Sequence, residues 1–227
     1  MIVAVHQPQY LPWLGYFDKI DRADLFVLLD TVQFKKNEWQ NRNRIKTANG
    51  PQWLTVPVTY KFPQRISEVG VNNRVRWQHQ QRQAILSNYR KAPCWDAVSP
   101  LLEEIFTPAW EFLAPLNIFV VKRLAGFLGI ATPLYVASEL PAFPEHPDER
   151  LIAIVKHFGA DAYLAGGGGR DYMDLDRYEK NGVKVLFQEY RHPVYEQRFG
   201  AFEPFMSVLD LLFNHGSESL NILRGKR

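Results

Sequence analysis

The chain of 227 residues (26.4 kDa) is 46% hydrophobic and 22% charged, with a formal net charge of +3. Fifteen Phe, ten Tyr and six Trp can fill a sizeable core, which excludes a disordered chain, and no apolar run reaches the length of a membrane-spanning helix. The lone Cys94 excludes an internal disulfide and a multi-cysteine metal site.

The first residues, Met1-Ile2-Val3-Ala4-Val5-His6, lack the basic region and cleavage site of a signal peptide. They read as a strand from the outset, in a cytoplasmic protein. A helix over Leu14–Ile20 comes after Pro12, since proline is tolerated where a helix begins. Strand character returns at Leu25–Leu29 and Trp53–Val58. Helical patterns then occupy 77–90, Leu101–Phe106 and Phe112–Leu128, the last ending at Gly129. Further strands are expected at Pro133–Val136, Ala162–Ala165 and Val183–Phe187, with a loop over 138–147. Between and after them, helices are expected from Asp148 to Gly159, over Asp174–Asn181 and over Ser207–Asn214. The strands are continuous apolar runs, as expected when both faces are covered. The alternation predicts an α/β fold, a Rossmann-like three-layer sandwich with a mostly parallel sheet of about five or six strands. At roughly 100–200 residues per domain, one α/β domain spans 1–227, with 77–130 as a helical insertion or subdomain and 216–227 as a mobile tail.

Charge is unevenly spread. Residues 31–95 carry twelve Lys or Arg against two acids, Glu38 and Glu68, a net of +10, while the rest of the chain is at −7. The basic segment is either an anion-binding surface or a solvated face.

Ligands of parallel sheets bind beyond the carboxyl ends of the strands, so the residues just past each strand are the candidates for chemistry. After the first strand come His6, Gln7, Tyr10, Trp13, Gly15 and Lys19. His6 and Lys19 are candidate proton-transfer groups, and the helix start can favour an anion. The alternative is that the aromatics are core and His6 a satisfied hydrogen-bonder. After the second strand come Asp30 and Gln33, then Asn41-Arg42-Asn43, where a guanidinium fork suits phosphate and amides suit a base or sugar hydroxyl. Gly166-Gly167-Gly168-Gly169, with Asp171 and Tyr172, can bring backbone close to a ligand, although neither GxxxxGK nor GxGxxG is present. The last group is Gln188, His192, Tyr195 and Gln197, with His192 as a second acid–base candidate or a turn residue. Asp210 and Asn214, one helical turn apart, read as a loop anchor. No metal-ligand spacing is present, and no metal is expected.

The runs HQPQYLPWLGYFDKI, DLFVLLDTVQFKKNEWQNRNRIKTANGPQWLTVPV, GADAYLAGGGGRDYMD and FQEYRHPVYEQRFGAFEPFMSVLDLLFNHG resemble the WbqC-like family of bacteria, over nearly the whole chain. The resemblance implies a role linked to O-antigen (lipopolysaccharide) and other surface-polysaccharide gene clusters, in making or modifying an activated sugar. The strand–turn–helix start is also similar in fold to the nucleotidylyltransferases with a HxGH element, a group that includes pantothenate synthetase. Here the tetrads are His6-Gln7-Pro8-Gln9 or Trp13-Leu14-Gly15-Tyr16, so the paired histidines are missing. The combined expectation is a transferase acting on a nucleotide sugar or sugar phosphate, by acyl or aminoacyl transfer or by nucleotidyl transfer. A nucleotide or an acyl donor would be the co-substrate, and a homodimer is compatible with it. The alternatives are a non-catalytic scaffold of polysaccharide assembly or, on the basic segment alone, a nucleic-acid binder.

Overall fold

The computed structural model describes residues 1–225; Lys226 and Arg227, which end the expected tail, lie outside the described residues. In chain order the elements are β1 (Ile2–His6), α1 (Leu14–Asp21), β2 (Leu25–Leu28), β3 (Arg42–Thr47), β4 (Gly50–Thr55), β5 (Val58–Thr59) and β6 (Gly70–Val71). Next are α2 (Trp77–Tyr89), α3 (Trp95–Phe106), α4 (Leu113–Leu128), β7 (Leu134–Val136), α5 (Pro147–His157) and β8 (Ala162–Ala165). The chain continues through α6 (Leu175–Lys180), β9 (Lys184–Phe187), α7 (Val208–His215) and α8 (Ser219–Arg224).

Five strands form one parallel sheet in the order β7-β2-β1-β8-β9. Its strands are apolar on both sides because both sides are covered. On one face Ala4, Phe26, Leu28 and Leu164 pack with α1, α4 and α7, through Phe17, Val120, Leu124 and Leu212. On the other, Val3, Val5, Val27 and Tyr163 pack with Ile152 and Val155 of α5 and Tyr178 of α6. This is the expected Rossmann-like three-layer sandwich.

The Trp53–Val58 run departs from expectation. It is not a strand of the central sheet; residues up to Thr55 belong to β4, which pairs antiparallel with β3 in a separate two-stranded hairpin. The hairpin lies with α2, α3 and α4 in the long crossover from β2 to β7. Helix α3 begins at Trp95, six residues before the expected Leu101, and carries the exposed Pro100 within it. Residues 216–225 are not a loose end: Leu223 of α8 is buried, and Arg224 holds Asp21 of α1 through two hydrogen bonds of 3.0 and 2.8 Å.

Asp210 of α7 is the buried tie between the crossover and the C-terminal segment. Its carboxylate accepts from Tyr89 Oη (2.7 Å), Tyr195 Oη (2.9 Å) and Gln197 Nε2 (2.7 Å). Asn214 donates to its backbone carbonyl at 2.7 Å, so this pair is an anchor as its spacing suggested. Asp210→Ala would strand three buried donors at roughly 1–3 kcal/mol each. Urea denaturation is expected to show a loss of about 3 kcal/mol or more, with a smaller loss for Asp210→Asn, which keeps an acceptor. A loss below about 1 kcal/mol for the alanine variant would contradict this account of the anchor.

Candidate functional site at the carboxyl rim of the sheet

The strand order places a topological switch between β1 and β8. From β1 the chain winds outward through β2 to β7, then crosses back to β8 and outward again to β9. Pairing of β1 with β2 runs on to His6↔Leu28, but pairing of β1 with β8 stops at Ala4↔Leu164. The β1–β8 ladder therefore ends before β1 does, at the kind of switch point beyond whose strand ends open α/β sheets hold ligands.

Lys19 lies at that switch point. The His6 carbonyl is taken by Leu29 N on the β2 side (2.8 Å), so the Val5 carbonyl faces the β8 side, where no strand partner meets it. Lys19 Nζ donates to it at 2.9 Å, and the Tyr163 ring of β8 lies 5.7 Å away. Lys19 is only 3% exposed, and Val5 O is its sole hydrogen-bond acceptor among the described residues. Burial disfavours the ammonium form and pushes the pKa down to about 7. A lysine this well shielded, with a backbone carbonyl instead of a carboxylate, costs stability near neutral pH, a pattern concentrated at functional sites.

His6 stands beside it on β1. Its Nδ1 lies 3.1 Å from the Gln7 carbonyl, so Nδ1 carries the proton and Nε2 is left as the acceptor. Desolvation, and then the neighbouring Lys19 charge, push its pKa down to about 3. His6 is thus a neutral hydrogen-bonding group, and Lys19 is the group that titrates near neutrality. Tyr16 closes one side, with its ring edge on His6 (5.0 Å) and its hydroxyl donating to Gln7 O (3.0 Å). Gln7 itself is held by Gln40 Nε2 at 2.7 Å.

The opposite wall comes from β8 and β9. Gly166 follows Ala165, and 167–171 form a short 3-10 turn. None of the four glycines has a positive φ. At Gly169 a Cβ would press on Met173 Sδ at 2.8 Å, which that flexible side chain can relieve, and would touch Ala165 and Phe187 at 3.4 Å. At Gly166 and Gly168 a Cβ would meet nothing within 4 Å. Neither backbone strain nor packing within the chain demands glycine at these two positions. Gln188 ties the two walls, its Nε2 donating to Gly15 O (2.8 Å) and Asp18 Oδ2 (2.7 Å).

Other expected residues have internal duties. His192 is spoken for at both nitrogens: Nδ1 lies 2.8 Å from Pro193 O, and Nε2 accepts from Phe205 N at 3.2 Å. It is stacked with Trp13 and Tyr195, and burial lowers its pKa. Tyr195 and Gln197 serve Asp210. Asn41 and Asn43 are buried, Asn41 donating to Val56 O and Asn43 to the carbonyls of Tyr10 and Leu11. Tyr10 is buried and donates to Gln81 Oε1 at 2.7 Å. Gly15 makes room for Trp13, whose ring would lie 2.2 Å from a Cβ. Asp30 is buried at the end of β2 and accepts from Ser138 N and Oγ. Next to it lies a cavity of about 300 Å³ lined by Thr31, Ser67, Ser138 and Arg150 among others. Gln33, Asp171 and Tyr172 are exposed, and Arg42 lies on the hairpin.

Two positioning residues escaped sequence reading. Asn117 of α4 is fully buried and donates to Pro8 O (3.1 Å) and Gln40 O (2.7 Å), fixing the turn after β1. Asp18 is buried beneath Gln188 and pairs with Arg22 at 2.8 Å. The available signal was a lone amide in the mostly apolar segment Leu113–Leu128 and an acid four residues before Arg22, the spacing of a helical ion pair.

The model of the WbqC-like protein family matches residues 7–222, which takes in every part of this rim after His6. The chain belongs to the WbqC-like protein family. An uncharacterized protein, Rv1507c, of Mycobacterium tuberculosis (strain ATCC 25618 / H37Rv) is 35% identical over 226 residues, covering 98% of this chain and 97% of the relative. No solved structure matches the chain. Membership of the WbqC-like family links the chain to polysaccharide-related biosynthesis at most, and names no substrate.

The Lys19 geometry has a thermodynamic consequence. Its pKa falls from 10.5 in the unfolded chain to about 7 in the folded one, so between these values the unfolded state binds more protons. Stability must then rise with pH across that window, by up to about 1.4 kcal/mol per pH unit. Lys19→Met is expected to be more stable than the parent at pH 7, with the advantage shrinking towards pH 10. Parallel stability–pH curves for the two proteins would refute the buried-amine assignment.

Proposed function

We propose that this protein is a cytoplasmic transferase of bacterial surface-polysaccharide biosynthesis that acts on a nucleotide-activated or phosphorylated sugar. The observation that carries this reading is the Lys19 amine held at the Val5 carbonyl, beyond the last β1–β8 pair, with a pKa pushed down to about 7. A buried amine of that pKa serves as a general base at neutral pH.

The reaction that suits it best is acyl or aminoacyl transfer to an amino or hydroxyl group of the sugar. The attacking nitrogen or oxygen bonds to the acyl carbon, its proton passes to Lys19 Nζ, and the bond from the acyl carbon to the donor's leaving group breaks. Neutral His6 offers Nε2 as an acceptor to orient the attacking group. The open positions Gly166 and Gly168 let the ligand lie against backbone, and Gln7 and Gln188 frame the two walls. Nucleotidyl transfer would use the same base, but the missing second histidine of the HxGH element leaves it less well supported.

Thermal denaturation with UDP- and dTDP-hexoses and with hexose phosphates tests the binding step. A ligand at 100 times its Kd should stabilise the fold by about 2.7 kcal/mol. With an acyl donor present, turnover should rise through about pH 7 and level above it, and Lys19→Met should lower kcat by roughly 10²–10⁴-fold. If none of these ligands raises the Tm, the transferase reading fails in favour of a scaffold protein.

A further inference from the structure

The β3–β4 hairpin carries an arrangement that the rim does not use. Strand alternation puts Arg42 and Arg44 on one face of β3, with Asn43 and Ile45 on the other. That alternation is locked, because Asn43 is bonded to the Tyr10 and Leu11 carbonyls and Ile45 is fully buried. Across the hairpin, Arg44 pairs with Trp53 and Arg42 with Thr55. The Trp53 indole therefore lies against both guanidiniums, 4.2 Å from that of Arg42 and 5.4 Å from that of Arg44. Trp39 lies beside it with ring centroids 5.7 Å apart.

Two features make this more than a basic surface. No ion pair or side-chain hydrogen bond engages either guanidinium among the described residues, and Nε of both is shielded from solvent without an acceptor. Surface arginines elsewhere on the chain show the usual alternative; Arg82, Arg123 and Arg177 each reach a carboxylate. Here two like charges are instead both held against one indole, with no acid paired to either, which is unfavourable until an anion arrives. Trp53 is also 43% exposed, so a flat apolar surface adjoins the charge pair. Lys46 closes one end of the face by donating to the Gly200 and Ala201 carbonyls.

We propose that the Arg42–Arg44–Trp53 face of the hairpin is a binding site for a sugar bearing a phosphate group, with the arginines on the phosphate and the indoles of Trp53 and Trp39 against the apolar side of the sugar. The site is separate from the Lys19 site and does not depend on the transferase reading. A phosphate alone would need only the two arginines; the exposed indole and the Thr55 side chain across from Arg42 favour a phosphate attached to a polyhydroxylated ring.

Indole N–H resonances of the ¹⁵N-labelled protein, assigned by single Trp substitutions, would be followed during titration with glucose 1-phosphate, inorganic phosphate and glucose. Trp53 and Trp39 are expected to shift with glucose 1-phosphate, at a Kd at least tenfold below those of phosphate and of glucose. Arg42→Gln/Arg44→Gln should abolish the shifts, and Trp53→Leu should erase the preference for glucose 1-phosphate over phosphate. Lys19→Met should leave the hairpin response unchanged, which separates failure here from failure at the Lys19 site. Absence of Trp53 and Trp39 shifts in the parent protein, or shifts that survive loss of both arginines, would overturn the proposal. Equal affinity for phosphate and glucose 1-phosphate would reject the sugar and leave an anion site alone.

Discussion

The early end of the β1–β8 ladder is the constraint around which the rest is arranged. A sheet wound in both directions from its first strand cannot keep two neighbouring strands paired to their ends when each must turn away on a different side. The last ladder pair is Ala4↔Leu164, and the Val5 carbonyl beyond it still needs a donor. A neutral side chain would satisfy it at lower cost. The chain uses a lysine, carried in by a helix whose residues from Leu14 to Ile20 are all buried. The structural need is for one N–H; the residue supplied has three and a charge. That surplus is what the proposed general-base role of Lys19 draws on.

The surroundings of Lys19 act on its protonation in one direction. Tyr16, Tyr163 and the apolar strand residues supply no negative charge, and Asp18, its neighbour in sequence, is engaged by Arg22 and Gln188. Burial is then the dominant influence on the amine, and the charge that remains on it in turn suppresses protonation of His6. The pair divides the labour: the residue usually thought of as the neutral-pH titrant is held neutral, and the lysine is brought into its range.

The sheet was readable because its strands are largely apolar runs bounded by turn residues, and of the six runs read as strands five took places in the order 7-2-1-8-9, while Trp53–Val58 went to the hairpin. The rim was half readable. His6, the glycines and Gln188 lie at or just past strand ends, where the general location rule points, whereas Lys19 lies within α1 and reaches the Val5 carbonyl only through the packing of that helix. His192 lies past one too, but its ring nitrogens serve a loop that folds back through Phe205, a tertiary contact that no local pattern encodes. The hairpin was hidden for a different reason. Arg42-Asn43-Arg44-Ile45-Lys46 alternates as a strand does, yet its inward position at 43 is an amide that bonds backbone carbonyls. With a polar residue on both faces, the period of two loses its hydrophobic signature.

This hidden alternation also explains the charge asymmetry of the sequence. A basic stretch of net +10 on a chain that is otherwise acidic reads as one surface, but the structure divides it into parts with different partners. Arg82 finds Glu103 on α3, Arg65 finds Glu145, and Lys46 is spent on loop carbonyls. Among the described residues, Arg42 and Arg44 are the two arginines held by an indole rather than by an acid. Stacking fixes a guanidinium in place while leaving its in-plane donors unspent, whereas an ion pair consumes both orientation and donors. The fold pairs Arg65 and Arg82 with acids and sets Arg42 and Arg44 against an indole, at the point where the insertion meets the turn after β1.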